Sequence, residues 1–142
     1  VKETLAGWGI DTGRLRLYDG SGLSRHNLVS TSTLLAVLRR AAGDQGAELR
    51  SVVTGLPVAA FTGSLTYRFD TVPKVARGTV RAKTGTLTGV HALAGLVTGR
   101  DGVVKVFVIA ADKVGDADKL DAQAAIDRAA AALAACRCTT SG

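Results

Sequence analysis

Hydrophobic and polar positions follow two different rhythms along this chain. In the first half, apolar residues recur at helical spacing in short stretches broken by glycine. Residues 1–8 read as the end of a helix stopped by Gly7 and Gly9. Thr31 or Ser32 can cap a helix running to about Ala42, with Leu34, Leu35, Val37 and Leu38 on one side and Gly43 as its stop. Glu48 to Val53 predicts a shorter helix ended by Gly55 and Pro57, and Thr62 to Asp70 a short helix or turn. Between these, Arg14 to Tyr18 alternate charge and bulk, as a short half-buried strand does, and Asp19-Gly20-Ser21-Gly22 has the composition of a tight turn.

After residue 78 the rhythm changes. Thr79 to Lys83 predicts a strand leading into Thr84-Gly85-Thr86-Leu87-Thr88-Gly89. Val90 to Thr98 and Val103 to Ala111 are apolar runs joined by the turn Gly99-Arg100-Asp101-Gly102. Three strands with short links make an antiparallel meander. A long alanine-rich helix, about Asp116 to Ala135, follows, with Leu120, Ala124, Ile126, Ala130 and Leu133 suited to packing on a sheet. The predicted class is α+β, an antiparallel sheet with helices on its faces. The meander leaves an open edge at its first strand, and open edges take partners.

Composition narrows the function. With 46% hydrophobic residues in 142, the chain is rich enough in apolar side chains to exclude disorder. No stretch approaches the roughly 18 apolar residues of a membrane span. Eighteen basic against twelve acidic residues give a net charge of +6, which favours anionic partners. The basic residues are scattered, however. Only Arg39 and Arg40 are adjacent, and only one Trp, two Tyr and three Phe accompany them, so neither the clustering nor the stacking surface of a nucleic-acid binder is present. Cys136 and Cys138 form a lone C-x-C near the end, far in sequence from His26 and His91. This is half a zinc site at best, and otherwise a pair of thiols or a disulfide. No metal or cofactor is expected. The chain begins at Val1 without a charged start and apolar run, and reads as a piece of something longer.

Two stretches carry chemistry. In Lys83-Thr84-Gly85-Thr86 an ammonium, a hydroxyl and a glycine that permits close backbone approach stand at a strand, followed by a second hydroxyl. Together they suit a carboxylate on a peptide laid along the sheet edge; the same residues also occur in an ordinary strand ending in a glycine turn. In Asp19-Gly20-Ser21-Gly22-Leu23-Ser24-Arg25-His26-Asn27, Ser, His and Asp all occur within nine residues. Catalytic triads are assembled from distant segments, so this reads first as a loop whose Asp and Asn bond the backbone, with His26 as a general base the lesser reading. Arg25 can clamp a carboxylate with two parallel bonds.

Taken together, DGSGLSRHNLVS, then Thr62-Gly63-Ser64-Leu65, then AKTGTLTGVHALAGLV, in that order and spacing, resemble the C-terminal part of D-alanyl-D-alanine carboxypeptidases of the penicillin-binding protein 4 type, the serine peptidase S13 family. The resemblance covers nearly the whole chain and is weakest before residue 12 and after residue 113. It implies that residues 1–142 are the C-terminal segment of a penicillin-recognising serine transferase, or β-lactamase-like, domain. That family uses three motifs, S-x-x-K, S-x-N and K-T-G. Only the third is present, as Lys83-Thr84-Gly85; no serine here has Lys three residues on or Asn two residues on. The nucleophile is therefore expected upstream of this segment.

The resemblance also implies roles. Lys83 and Thr84 would lie near the terminal carboxylate of a D-Ala-D-Ala peptide or a β-lactam, beside Gly85. The Thr86 N–H would complete the oxyanion hole with that of the nucleophile. Leu23 and Arg25, bordered by Leu87 and Thr88, would receive the diamino-acid side chain of a peptidoglycan stem peptide, although Leu23 also suits plain packing. The expected partners are stem peptides, β-lactam antibiotics and the upstream segment, in the extracytoplasmic cell envelope. Two other readings are a class A β-lactamase-like or transpeptidase segment, which the DGSGLSRHN run fits poorly, and a non-enzymatic basic module binding anionic polymer or protein through its sheet edge.

Overall fold

The computed structural model describes residues 1–137. Four α-helices, α1 (Lys2–Gly7), α2 (Thr31–Ala42), α3 (Arg50–Thr54) and α4 (Lys119–Ala135), surround a sheet of β1 (Val80–Leu87), β2 (Val90–Thr98) and β3 (Val104–Ala111). The sheet is the expected antiparallel meander in the order β1-β2-β3. Its alternation places Val80, Ala82, Leu93, Val97 and Phe107 on one face, packed against Ile126, Ala130, Ala131 and Ala134 of α4. The other face is partly covered by α2. Gly95 sits where β2 passes closest to β1: a Cβ there would land on the Arg81 carbonyl and on Ala82. The two-residue link from β1 to β2 closes through Gly89, which takes a left-handed φ of +79°.

Several local expectations are corrected. Arg14–Tyr18 is not a strand; only an isolated bridge joins Arg16 to Leu28, because no neighbouring strand extends the ladder. Ser30, not Thr31 or Ser32, caps α2, its hydroxyl accepting from the Thr33 N–H at 3.0 Å. Of the side expected to be apolar, α2 buries Leu38, joined by Ala41, whereas Leu34 is among the exposed apolar residues. Leu120 is 77% exposed and so does not pack on the sheet. The strand thought to lead into Thr84 runs on through Leu87, so the whole K-T-G-T stretch is β1. Cys138 lies outside the described residues, and with it the question of its pairing with Cys136. Among the described residues, no helix is long and apolar enough to cross a membrane.

The segment between α3 and β1 is irregular but tightly held. Leu65 and Phe69 are fully buried in the core with α4, and Arg68 reaches Asp127 on α4 through two bonds, Nε to Oδ2 at 2.9 Å and Nη2 to Oδ1 at 2.6 Å. Both side chains are nearly removed from solvent. The segment's start also lies along the outer edge of β1: Ala59 N–H donates to the Val80 carbonyl and Ala82 N–H to the Pro57 carbonyl, each at 2.9 Å. The open edge expected at the first strand is thus closed over its N-terminal part.

Candidate functional site

The pairing of β1 with 57–59 decides where its edge is available. Val80 and Ala82 turn their main-chain groups outward to that segment. A strand repeats every two residues, so Thr84 and Thr86 turn theirs the same way, beyond the end of the covering segment. Lys83, Gly85 and Leu87 pair across β2 with Ala94, Ala92 and Val90. A cleft of about 580 Å³ opens on this stretch, floored by Gly85 and Ala92 and bordered by Lys83 and Leu87 on one side and Ser21, Gly22 and Leu23 on the other. The Lys83 ammonium donates to the Thr84 carbonyl at 2.9 Å and lies 3.4 Å from the Thr84 hydroxyl.

A second cleft, of about 540 Å³, continues from the first and shares Gly22, Leu87, Val90 and Ala92 with it. Arg25, Asn27 and Leu28 form its loop side, and Val108 and Ala110 of β3 its floor. Arg25 donates from both Nη1 and Nη2 to the Thr88 carbonyl, at 3.2 and 3.3 Å. The 19–27 loop is thereby tied to the β1–β2 turn. Leu23 and Arg25 from the loop and Lys83 through Leu87 from β1 line the two joined clefts, whereas Thr88 and His26 line neither; Thr88 adjoins them through its carbonyl, which Arg25 holds. Leu23 is 69% exposed and so is not a core residue.

The loop itself is organised by Asp19 with Asn27, as expected of a loop whose Asp and Asn bond the backbone. The Asp19 carboxylate accepts four bonds, two on each oxygen. Oδ2 takes the Ser21 hydroxyl at 2.6 Å and the Ser24 N–H at 3.1 Å; Oδ1 takes the Asn27 amide at 2.6 Å and the Gly22 N–H at 3.2 Å. Asn27 in turn accepts the Tyr18 N–H at 2.8 Å. His26 leans on the Tyr18 ring, with centroids 5.5 Å apart. The Ser21 hydroxyl above all, then Asn27, with the Ser24 and Gly22 N–H groups, hold the Asp19 carboxyl down to about 2. A carboxylate depressed in the folded state stabilises it above its unfolded value of 3.8 and loses that contribution as pH falls toward 2. The side-chain carboxyl of Asp19, followed by carbon NMR in the complete protein, is expected to remain ionised at pH 3.8. Half-protonation there would show that the four bonds are not maintained in solution.

Among the described residues, no group of three or more His, Cys, Asp or Glu side chains is placed to hold a metal ion. The site's means are one ammonium, one guanidinium, hydroxyls and an open strand edge, which suit binding and polarising a peptide carbonyl and its carboxylate.

Comparison with known proteins identifies a family for the chain. The D-Ala-D-Ala carboxypeptidase 3 (S13) family matches residues 1–133. A carboxypeptidase DacB of Mycolicibacterium smegmatis is 43% identical over 140 residues, 97% of this chain and 30% of that protein. A D-alanyl-D-alanine carboxypeptidase of Actinomadura sp. is 41% identical over 114 residues, 77% of this chain and 20% of that protein. The crystal structure of penicillin binding protein 4 from Haemophilus influenzae superposes with a TM-score of 0.77 at 34% identity, covering 90% of this chain and 29% of that one. A second structure of that protein is complexed with a β-lactam. The chain thus spans about 30% of the length of the M. smegmatis relative. On the match over residues 1–133, this chain belongs to the D-Ala-D-Ala carboxypeptidase 3 (S13) family.

Proposed function

We propose that the chain is the C-terminal segment of the penicillin-binding domain of a serine-type D-Ala-D-Ala carboxypeptidase, acting on peptidoglycan stem peptides in the extracytoplasmic cell envelope and acylated by β-lactams. The reading rests on one observation above others. The edge of β1 is covered at Val80 and Ala82 and becomes available at Thr84 and Thr86, where Lys83 and the cleft adjoin it. A D-Ala-D-Ala peptide aligned there presents its carbonyl to the Thr86 N–H and its terminal carboxylate to Lys83 and Thr84. A serine supplied by the upstream segment adds to that carbonyl, D-Ala leaves with the proton on its amine, and water hydrolyses the resulting ester. If the leaving amine belongs to a neighbouring stem peptide, the same step cuts a cross-link, and the reaction is that of an endopeptidase.

Leu23, Leu87, Thr88 and Arg25 make up the far end of the site, where the donor's diamino-acid side chain would lie. Arg25 already holds a neutral carbonyl with two donors, and a carboxylate on the donor is a stronger acceptor for the same fork.

Labelling with a fluorescent penicillin tests the reading. No serine of this chain has a lysine three residues on, so the isolated segment is expected to remain unlabelled, whereas the complete protein takes up one label on an upstream serine and releases D-Ala from acyl-D-Ala-D-Ala. A label on Ser21 or Ser24 would overturn the assignment. A complete protein that neither labels nor releases D-Ala would leave the basic, non-enzymatic module as the better description.

A further inference from the structure

Beyond the residues that meet substrate, the loop carrying Leu23 and Arg25 raises the question of what fixes its position. It has no regular secondary structure between the bridge residues Arg16 and Leu28, and its apolar side chains do not anchor it, Leu23 and Leu28 being largely exposed. What holds it is polar. Two of the four donors on the Asp19 carboxylate, the Gly22 and Ser24 N–H groups, flank Leu23; the Ser21 hydroxyl accepts the Leu23 N–H at 3.2 Å while donating to Asp19; and Asn27 ties the far end of the loop to the same carboxylate. Among the described residues, the Arg25 bonds to the Thr88 carbonyl are the hydrogen bonds that join the loop to the β1–β2 turn.

Of the four bonds that shape the turn before Arg25, three therefore end on the Asp19 carboxylate, and the fourth, from the Leu23 N–H, ends on a hydroxyl bonded to it. We infer that Asp19 is a positioning residue for donor specificity: it shapes the Leu23–Arg25 wall so that a donor bearing a carboxylate on its side chain meets an ordered pocket. The inference rests on the carboxypeptidase reading above. Asp19 itself does not line either of the two clefts and touches no reacting atom. Its effect passes through Leu23 and Arg25. Without it the wall must be ordered at the expense of binding, which raises KM for donors that reach it and leaves donors confined to the β1 edge unaffected.

The test uses the complete protein with Asp19→Asn, Arg25→Ala and the double variant. Asn retains the shape of Asp but offers one acceptor oxygen in place of two, and its amide opposes that of Asn27. Two donors are compared, a diaminopimelyl-D-Ala-D-Ala peptide and an unbranched acyl-D-Ala-D-Ala, together with acylation by 6-aminopenicillanic acid. Asp19→Asn is expected to lower kcat/KM on the branched donor about tenfold, through KM, because ordering a few side chains on binding has a cost of that order. The unbranched donor and the lactam should stay within about twofold. The double variant should be no worse than Arg25→Ala alone on the branched donor, since both act through one wall.

Equal losses on both donors and the lactam would show that Asp19 only holds the protein together. Additive losses with Arg25→Ala, or no loss, would show that the wall does not depend on it. A wild-type protein that neither labels nor releases D-Ala fails the carboxypeptidase reading and takes this inference with it; an active wild type indifferent to Asp19 fails the inference alone.

Discussion

Replacing Asp127 with Ala is expected to destabilise the complete protein by about 3–5 kcal/mol, the range for leaving one member of a buried ion pair uncompensated. Arg68 and Asp127 form a planar two-bond contact with both side chains nearly buried. Arg68 belongs to the irregular segment whose neighbours Leu65 and Phe69 enter the core, and Asp127 belongs to α4. The pair is the polar tie between the helix behind the sheet and the segment that covers the first half of the β1 edge. Removing the carboxylate leaves a nearly buried guanidinium without its counter-ion. The midpoint of urea unfolding, measured with an unchanged slope, reads the loss. Replacing both partners together, as Arg68→Met with Asp127→Leu, should recover most of it, because the penalty comes from the orphaned charge and not from the absence of the pair. A single variant within about 1 kcal/mol of wild type would place the pair with exposed ones.

Lys83→Ala, the second large effect, is expected to reduce turnover at least tenfold on every donor and to slow acylation by β-lactams to a similar extent. The ammonium lies at the open stretch of β1 and already donates to the Thr84 carbonyl; in the proposed complex it exchanges that bond for the donor's carboxylate. A charge-assisted bond contributes about 1.5–3 kcal/mol, and each 1.4 kcal/mol is about a factor of ten in rate. The uniformity of the loss distinguishes Lys83 from Arg25, whose removal should affect only donors with a carboxylate on the side chain. Lys83→Arg should recover part of the rate, since the charge returns in a different shape. A loss confined to branched donors would move Lys83 out of the proposed carboxylate site.

The sheet was legible in the sequence because it rests on local signals. Two apolar runs of strand length flank a glycine turn, and the K-T-G stretch precedes them, so the meander and its order follow from period and turn composition alone. The family resemblance likewise depends on residues close in sequence. Of the residues that the resemblance assigns to a site, Leu23, Arg25 and Lys83 to Leu87 line the two clefts.

What the sequence could not convey depends on segments distant from one another. Whether Arg14–Tyr18 forms a strand is decided by the presence of a partner, and its only partner is the bridge at Leu28. Which part of the β1 edge stays available is decided by residues 57–59, whose main-chain bonds to Val80 and Ala82 carry no residue-type signal. That Asp19 bonds the backbone of its loop was legible; that four donors converge on it beside a cleft was not. Arg68 and Asp127 lie 59 positions apart, on elements whose periodicity marks their apolar residues and not the charges between them. By itself, then, the sequence determined the strands, the long helix and the residue types of the site, because hydrophobic period and turn chemistry are short-range. Only the tertiary structure decided which edge is open, how many donors converge on Asp19 and which charges are buried together, because those depend on desolvation and pairing across the whole chain.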